Sequence, residues 1–418
     1  MKRERIRTLI FPFIIFTAVL SLISCAPKTR VAVSQLDTPG QHTFTGLKLL
    51  DLEKYPDAQR EFKMAIQLNN NYSNAYTGLA LVNIFTGKLD IASDNLTLSS
   101  KYATSDEEKL FADVSRIRYY SVSKADQQWL DLAKSQFLQA ILIDSNHAPA
   151  YYFMGLAYKD ALEFNLASQM FSKVIQLKTE HIADADVQLK ILQKIQEALP
   201  TTQAGKKIAL VERLTRADAA ALFMEELKIR DLYNKQLPKV PETTAKEIEK
   251  IPAEVKDPEK VLTEAKPTEK VSVEASPIAT APTQAPLKLM ANDIADHPLK
   301  KDIEGILETK VRGLENDPNG NFKPGEVLSR GEYAIMLEDI LIKLTGEMDL
   351  AAKYVNSKSL FPDVPSDMPY FKAIIAVSSQ GIMEAKNIKT GEFAPLKPLS
   401  GVEALLTIRK LKEKLKIN

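Results

Sequence analysis

Small and apolar residues recur along the N-terminal half of this chain at a step of 34 residues, and no other feature restricts the fold as strongly. Tyr151, Met154, Gly155 and Tyr158, then Ala167, Phe171 and Val174, fall at helical i, i+3, i+4 and i+7 spacing on two successive short helices. One step earlier stand Ala133, Phe137 and Ala140. The most N-terminal copy reads Gly46, Leu49, Ala58, Phe62 and Ala65, and its echo is Ala80, Asn83, Ala92, Leu96 and Ser99. Helices this short cannot each bury an apolar stripe alone, so the units must stack on one another. Between Ala92 and Ala133 the step grows to 41 residues, which predicts an extra turn or loop near Lys101 to Asp106.

This spacing and residue set resemble the tetratricopeptide repeat family over about Gly40 to Lys178. Gly46 and Gly155 fit the need for close helix crossing. Ala80 and Ser121 replace the Gly in copies two and three, and Asn83 and Lys124 the Tyr. In such arrays the first helices line a concave groove whose outward residues choose the ligand. Counted in frame, Asn74, Thr77, Arg118, Tyr152 and Lys159 face it, and their mixed polarity suits a protein or peptide client better than a lipid. His147 and His181 lie near helix starts and read as solvated. Asp184 to Leu199, with Val187, Leu189, Ile191, Leu192 and Ile195, reads as an amphipathic capping helix, ended by Pro200 and Gly205.

A second pattern follows. Leu214-Thr215-Arg216-Ala217-Asp218 opens an apolar-faced helix with a capping box. The arrangement returns at Leu328-Ser329-Arg330-Gly331-Glu332 and at Leu399-Ser400-Gly401-Val402-Glu403. Gly320, Phe322 and Pro324 precede the second copy, and Gly391, Phe393 and Pro395 the third, supplying a turn, a buried plug and a redirected chain. Earlier still come Asn292-Asp293-Ile294 and Phe361-Pro362-Asp363-Val364, each opening another helix. This order looks like the S-layer homology family, with two full motifs over about Asp293 to Leu411 and half of a third over Ile208 to Leu232. Three motifs would make one pseudo-threefold helical domain. The resemblance implies grooves that hold an envelope polysaccharide through Arg216 and Arg330, with Asp296 and Asp367 nearby. Gly401 departs from the third Arg, and Pro298 and Pro369 stand where the family has a groove Trp.

Gln236 to Leu287 separates the half motif from the full ones with eight Pro, no Gly and no aromatic residue. Such a stretch cannot bury enough apolar surface to order itself, and in polyproline form it could reach roughly 160 Å. It reads as a Pro/Lys/Glu-rich spacer. Either the Arg216 helix folds back to complete the C-terminal domain, or it belongs with the solenoid.

The chain begins with Lys2, Arg3, Arg5 and Arg7, then an apolar run from Leu9 to Ile23 that ends in Leu22-Ile23-Ser24-Cys25. A charged start and a short apolar core predict a secretory signal over residues 1–24. Leu-x-Ser-Cys resembles the lipobox of bacterial lipoproteins, which implies lipidation at Cys25 and stable attachment to a membrane. Ala26 favours the outer membrane, facing the periplasm. Residues 25–41 then form a tether.

The 55 basic and 54 acidic residues give no electrostatic case for nucleic acid. A single Cys excludes an internal disulfide and a Cys/His zinc cluster. No Walker loop, Gly-x-Ser-x-Gly or His-Glu-x-x-His is present, so neither catalysis nor a cofactor is expected. The expected fold is all-α: a tetratricopeptide-type α-solenoid with its capping helix over 42–200, then a half motif over 201–235, the spacer over 236–288, and two S-layer-homology-like motifs over 289–418. The expected role is a lipid-anchored, non-catalytic envelope scaffold that docks a protein client and meets wall peptidoglycan or polysaccharide. The alternative is an assembly adaptor in which both regions bind protein.

Overall fold

The computed structural model describes residues 29–236, 290–354 and 357–417. Cys25, the signal segment and nearly all of the Pro/Lys/Glu-rich stretch lie outside them. The described residues are all-α, with isolated bridges as the only β pairing. The chain divides into two compact units, with the boundary between Glu197 and Ala198.

The first unit is built from α1 (Pro39–Asp51), α2 (Tyr55–Leu68), α3 (Ser73–Phe85), α4 (Leu89–Tyr102), α5 (Asp106–Ser123), α6 (Trp129–Ile143), α7 (Ala148–Asp160), α8 (Phe164–Leu177) and α9 (Ile182–Ala198). Each odd helix from α1 to α7 packs chiefly on the helix that follows it, and α1, α3, α5 and α7 also touch in series. This is the pairing of an α-solenoid. The small residues of the repeat make it possible. Ala58, Phe62, Ala65, Ala133, Ala140, Ala167, Phe171 and Val174 are all but fully buried. A Cβ on Gly155 would stand 2.8 Å from the Phe171 ring, and one on Gly46 2.6 Å from Phe62. Gly78, which the 34-residue frame does not single out, packs on the same Phe62 ring from α3, where a Cβ would come within 2.2 Å.

The longer step between copies two and three falls elsewhere than Lys101 to Asp106. A capping box of Ser105 and Glu108 starts α5 in register. The helix then runs for 18 residues, against 13 in α3, and ends at Lys124 in the left-handed region. The additional residues therefore lie in the end of α5 and in the loop to Trp129. Helix α9 buries Ala185, Leu192, Ile195 and Ala198, while Val187 and Leu199 stay exposed. Its capping stripe is thus narrower than the hydrophobic pattern suggests.

The second unit comprises α10 (Gln203–Ala209), α11 (Arg216–Ala221) with a π turn at Leu222–Glu226, α12 (Ile229–Gln236), α13 (Lys300–Thr309), α14 (Arg330–Thr345), α15 (Leu350–Lys353), α16 (Phe371–Ser379) and α17 (Gly401–Leu415). All three expected capping boxes form, at Thr215/Asp218, Ser329/Glu332 and Ser400/Glu403. Just ahead of them three leucines close a ring. Leu328 N–H donates to Leu214 O at 2.8 Å, Leu399 N–H to Leu328 O at 3.1 Å, and Leu214 N–H to Leu399 O at 2.7 Å. One leucine from each motif meets at this pseudo-threefold junction. Helix α11 packs on α13, and α10 on α17, so the half motif belongs with the two full ones. Both flanks of the Pro/Lys/Glu-rich stretch therefore lie in one unit. The stretch between these flanks lies outside the described residues beyond Gln236.

Candidate functional site

Phe322 and Phe393 are fully buried plugs, and each is held by the aspartate of its own motif. Asp293 accepts from Phe322 N–H at 2.8 Å and Lys323 N–H at 2.7 Å; Asp363 accepts from Phe393 and Ala394 at the same two distances. Lys323 and Ala394 are in the left-handed region, with φ of 56° and 58°, and the carboxylates pin them there. The sequence marks these aspartates as motif positions but carries no sign of this role.

Arg216 and Arg330 repeat one geometry. Arg216 donates to Phe322 O (2.8 Å), Gly313 O (2.6 Å) and Glu315 O (2.8 Å), and its guanidinium lies 4.8 Å from the Phe322 ring centre. Arg330 donates to Phe393 O (2.8 Å), Glu384 O (2.7 Å) and the Glu403 carboxylate (3.2 Å), 4.5 Å from the Phe393 ring. Burial lowers both pKa values, with Glu326 and Glu403 respectively opposing the shift. Each arginine thus ties its own motif to the loop of the next. The planar fork expected to reach an acidic sugar is already holding main-chain carbonyls. Asp296 and Asp367 are exposed, and neither shares a hydrogen bond or ion pair with either arginine.

Gly401 has a steric reason to depart from the third Arg. A Cβ there would stand 1.7 Å from Ile208 O, and Gly401 N–H donates to Val211 O at 2.8 Å. The backbone of α10 and its exit occupies the space a side chain needs.

The first unit contains a cleft of about 770 Å³. Thr43, Leu47 and Asp51 reach it from α1, Asn74 from α3, Phe111, Ser115 and Arg118 from α5, and Tyr152 and Phe153 from α7, with His147, His181 and Asp184 at one end. Asn74, Arg118 and Tyr152 are therefore in the cleft. Thr77 is not. It is fully buried and bonds to Ser99 Oγ at 2.5 Å, because α3 is enclosed on nearly every side by its neighbours. Lys159 also lies outside the cleft lining, and its ammonium donates to Gln188 of α9 at 2.7 Å. His147 and His181 join the cleft despite their reading as solvated ends. His181 stacks on Tyr152 with centroids 4.4 Å apart and planes at 4°.

Arg118 lies 4.4 Å from the Phe153 ring centre and 5.1 Å from that of Phe85. Among the described residues it donates no hydrogen bond and has no carboxylate within 4.0 Å; burial lowers its pKa to about 10. It stays charged at neutral pH. Three further cleft atoms, Thr43 Oγ1, Asn74 Oδ1 and Ser115 Oγ, are buried without a hydrogen-bond partner. Buried polar groups are nearly always paired, so three such atoms beside Arg118 in one cleft call for an explanation.

No family model matches the chain. Over 105 residues it is 35% identical to the Surface-layer 125 kDa protein of Lysinibacillus sphaericus, a stretch that covers 25% of this chain and 8% of that protein. The chain thus matches under a tenth of the relative's length.

Proposed function

We propose that this chain is a non-catalytic, lipid-anchored scaffold of the cell envelope, whose repeat unit docks a segment of a partner protein. The cleft around Arg118 carries this reading. A cation held between two aromatic rings, beside three polar atoms without partners, is an arrangement that an occupant would complete. The envelope half of the reading is supported by the lipobox ending at Cys25 and by the partial likeness to a surface-layer protein. Ala26 supports an outer-membrane site facing the periplasm.

For the second unit two readings compete, wall peptidoglycan or polysaccharide and protein. The engagement of Arg216 and Arg330 by main-chain carbonyls favours protein, and with it the assembly-adaptor reading. Purifying the full-length chain from envelopes in detergent, beside an Arg118→Gln/Tyr152→Ala version, tests the docking claim. The expected result is a stoichiometric companion protein that the double variant loses. If both purify alone, the docking reading fails. Sedimentation of the same full-length protein with isolated wall sacculi tests the second unit; binding lost on Arg330→Gln in a still-folded protein would favour the glycan reading.

A further inference from the structure

The cleft of the first unit has two electrostatic zones. Its floor holds Arg118, which forms no direct ion pair among the described residues, and beneath it the buried unpartnered oxygens of Thr43, Asn74 and Ser115. Its rim holds four exposed carboxylates, Asp51, Glu107, Glu180 and Asp184. Arg118 reaches none of them by a direct ion pair, although burial, which lowers its pKa, is opposed by the charge of Asp51. A purely acidic ligand would suit the floor and be repelled by the rim. A purely basic one would suit the rim and leave the floor unmet.

We infer that the cleft takes an extended peptide segment bearing one carboxylate side chain flanked by basic residues, the carboxylate seated on Arg118 and the basic groups turned to the rim. This rests on the reading that the repeat unit docks protein, and it names the chemistry of the docked segment. Four first helices line the cleft, and neighbouring helix axes lie about 8–10 Å apart, so its length is roughly 25–30 Å. At about 3.3 Å per residue, some eight extended residues fill it. Strand-like alternation sends neighbouring side chains to opposite sides, so an acid on the floor places the residues next to it toward the rim. The guanidinium stacked on Phe85 and Phe153 is held in place, and a planar fork so fixed accepts a carboxylate with little further ordering.

The test uses the full-length chain in detergent and four end-capped eight-residue peptides. One carries a Glu between two Lys, the second has Gln in its place, the third keeps the Glu between two further Glu, and the fourth is the Lys-only version with Ala. Binding is read by calorimetry at low and moderate salt. The first peptide is expected to bind, and the Gln peptide to bind about ten- to a hundredfold more weakly, as loss of one charge-assisted contact implies. Arg118→Gln should weaken the Glu peptide by a similar factor and leave the Gln peptide nearly unchanged, while a Glu180→Gln/Asp184→Asn version should weaken only peptides that carry Lys. The inference is overturned if the Gln peptide matches the Glu peptide, if the all-acidic peptide binds as well, or if no peptide binds. Because the decisive comparison changes the peptide, a misfolded variant cannot hide the answer. A companion protein retained from envelopes alongside indifferent peptides sinks this inference and leaves the docking reading standing. Absence of both removes the docking reading as well.

Discussion

Arg330 donates to two main-chain carbonyls and a carboxylate, whereas Arg118 faces two rings and donates to no described group. Residue type alone cannot separate such cases, because a carbonyl acceptor belongs to every residue and leaves no mark on the sequence. That is why Arg216 and Arg330 read as ligand-facing, and why the unpaired state of Arg118 was not visible. The two roles predict different losses. Replacing Arg330 by Met leaves two buried carbonyls without their donor, while Glu403 keeps Lys386 and its capping-box contacts, and should cost about 2–4 kcal/mol. Arg216→Met should cost less, about 1.5–3 kcal/mol, since its hydrogen bonds go to neutral carbonyls nearer solvent. Chemical denaturation measures both, and stability unchanged in either variant would mean the arginine is free for a ligand. His42 gives a pH-dependent case. Burial disfavours its charge, but Glu61 at 2.7 Å on Nδ1 and Asp37 at 2.8 Å on Nε2 outweigh it, and its pKa is raised. Its contribution is fully present below about pH 6.5 and is lost as pH rises through the raised folded value. Melting of the native chain should therefore exceed that of His42→Gln at pH 6, and the gap should close toward alkaline pH. A gap independent of pH would argue against a charged His42.

The helical hairpins were legible because close crossing leaves a small-residue signature at fixed spacing. Phe62 shows the limit of that signature: it packs on Gly46, which the frame finds, and on Gly78, which it does not. The contact with Gly78 belongs to stacking between hairpins, whose geometry drifts from copy to copy and leaves no strict period. The extra residues between copies two and three were misplaced for a related reason. Ala133, Phe137 and Ala140 fix the register of α6 alone, and only the capping box at Ser105 shows where α5 begins. Gly78→Ala forces the fixed Phe62 ring to move and should cost about 1–3 kcal/mol. Gly401→Ala meets backbone, at Ile208 O, and cannot be relieved by a rotamer. It should cost at least as much, and Gly401→Arg, which restores the family pattern, should be worse still. Thermal unfolding orders the variants, and a Gly401→Arg protein as stable as its parent would refute the steric account.

At the scale of the molecule, the capping boxes, plugs and motif order were all readable, yet whether the half motif joined the rest was not. Joining depends on three leucine backbones meeting across long sequence separations, and a main-chain ring has no side-chain code. The ring makes a prediction about nicking. The Pro-rich stretch offers several lysines to trypsin, and a cut there should leave the fragment ending near Gln236 bound to the one starting near Met290 through native gel filtration. Separation on denaturing gels but co-elution under native conditions is the expected outcome. Fragments that part under native conditions would show that the leucine ring does not hold the domain together.

The same closure sets an order on synthesis. Helix α11 leaves the ribosome 106 residues ahead of Phe322, whose carbonyl Arg216 must find. At about 5–20 residues per second, that is on the order of ten seconds with a buried face still uncovered. The repeat unit ahead of it can complete its neighbour contacts as it emerges, while this domain must wait for nearly its last helix, so between synthesis and closure the half motif is where a holding chaperone would have something to grip.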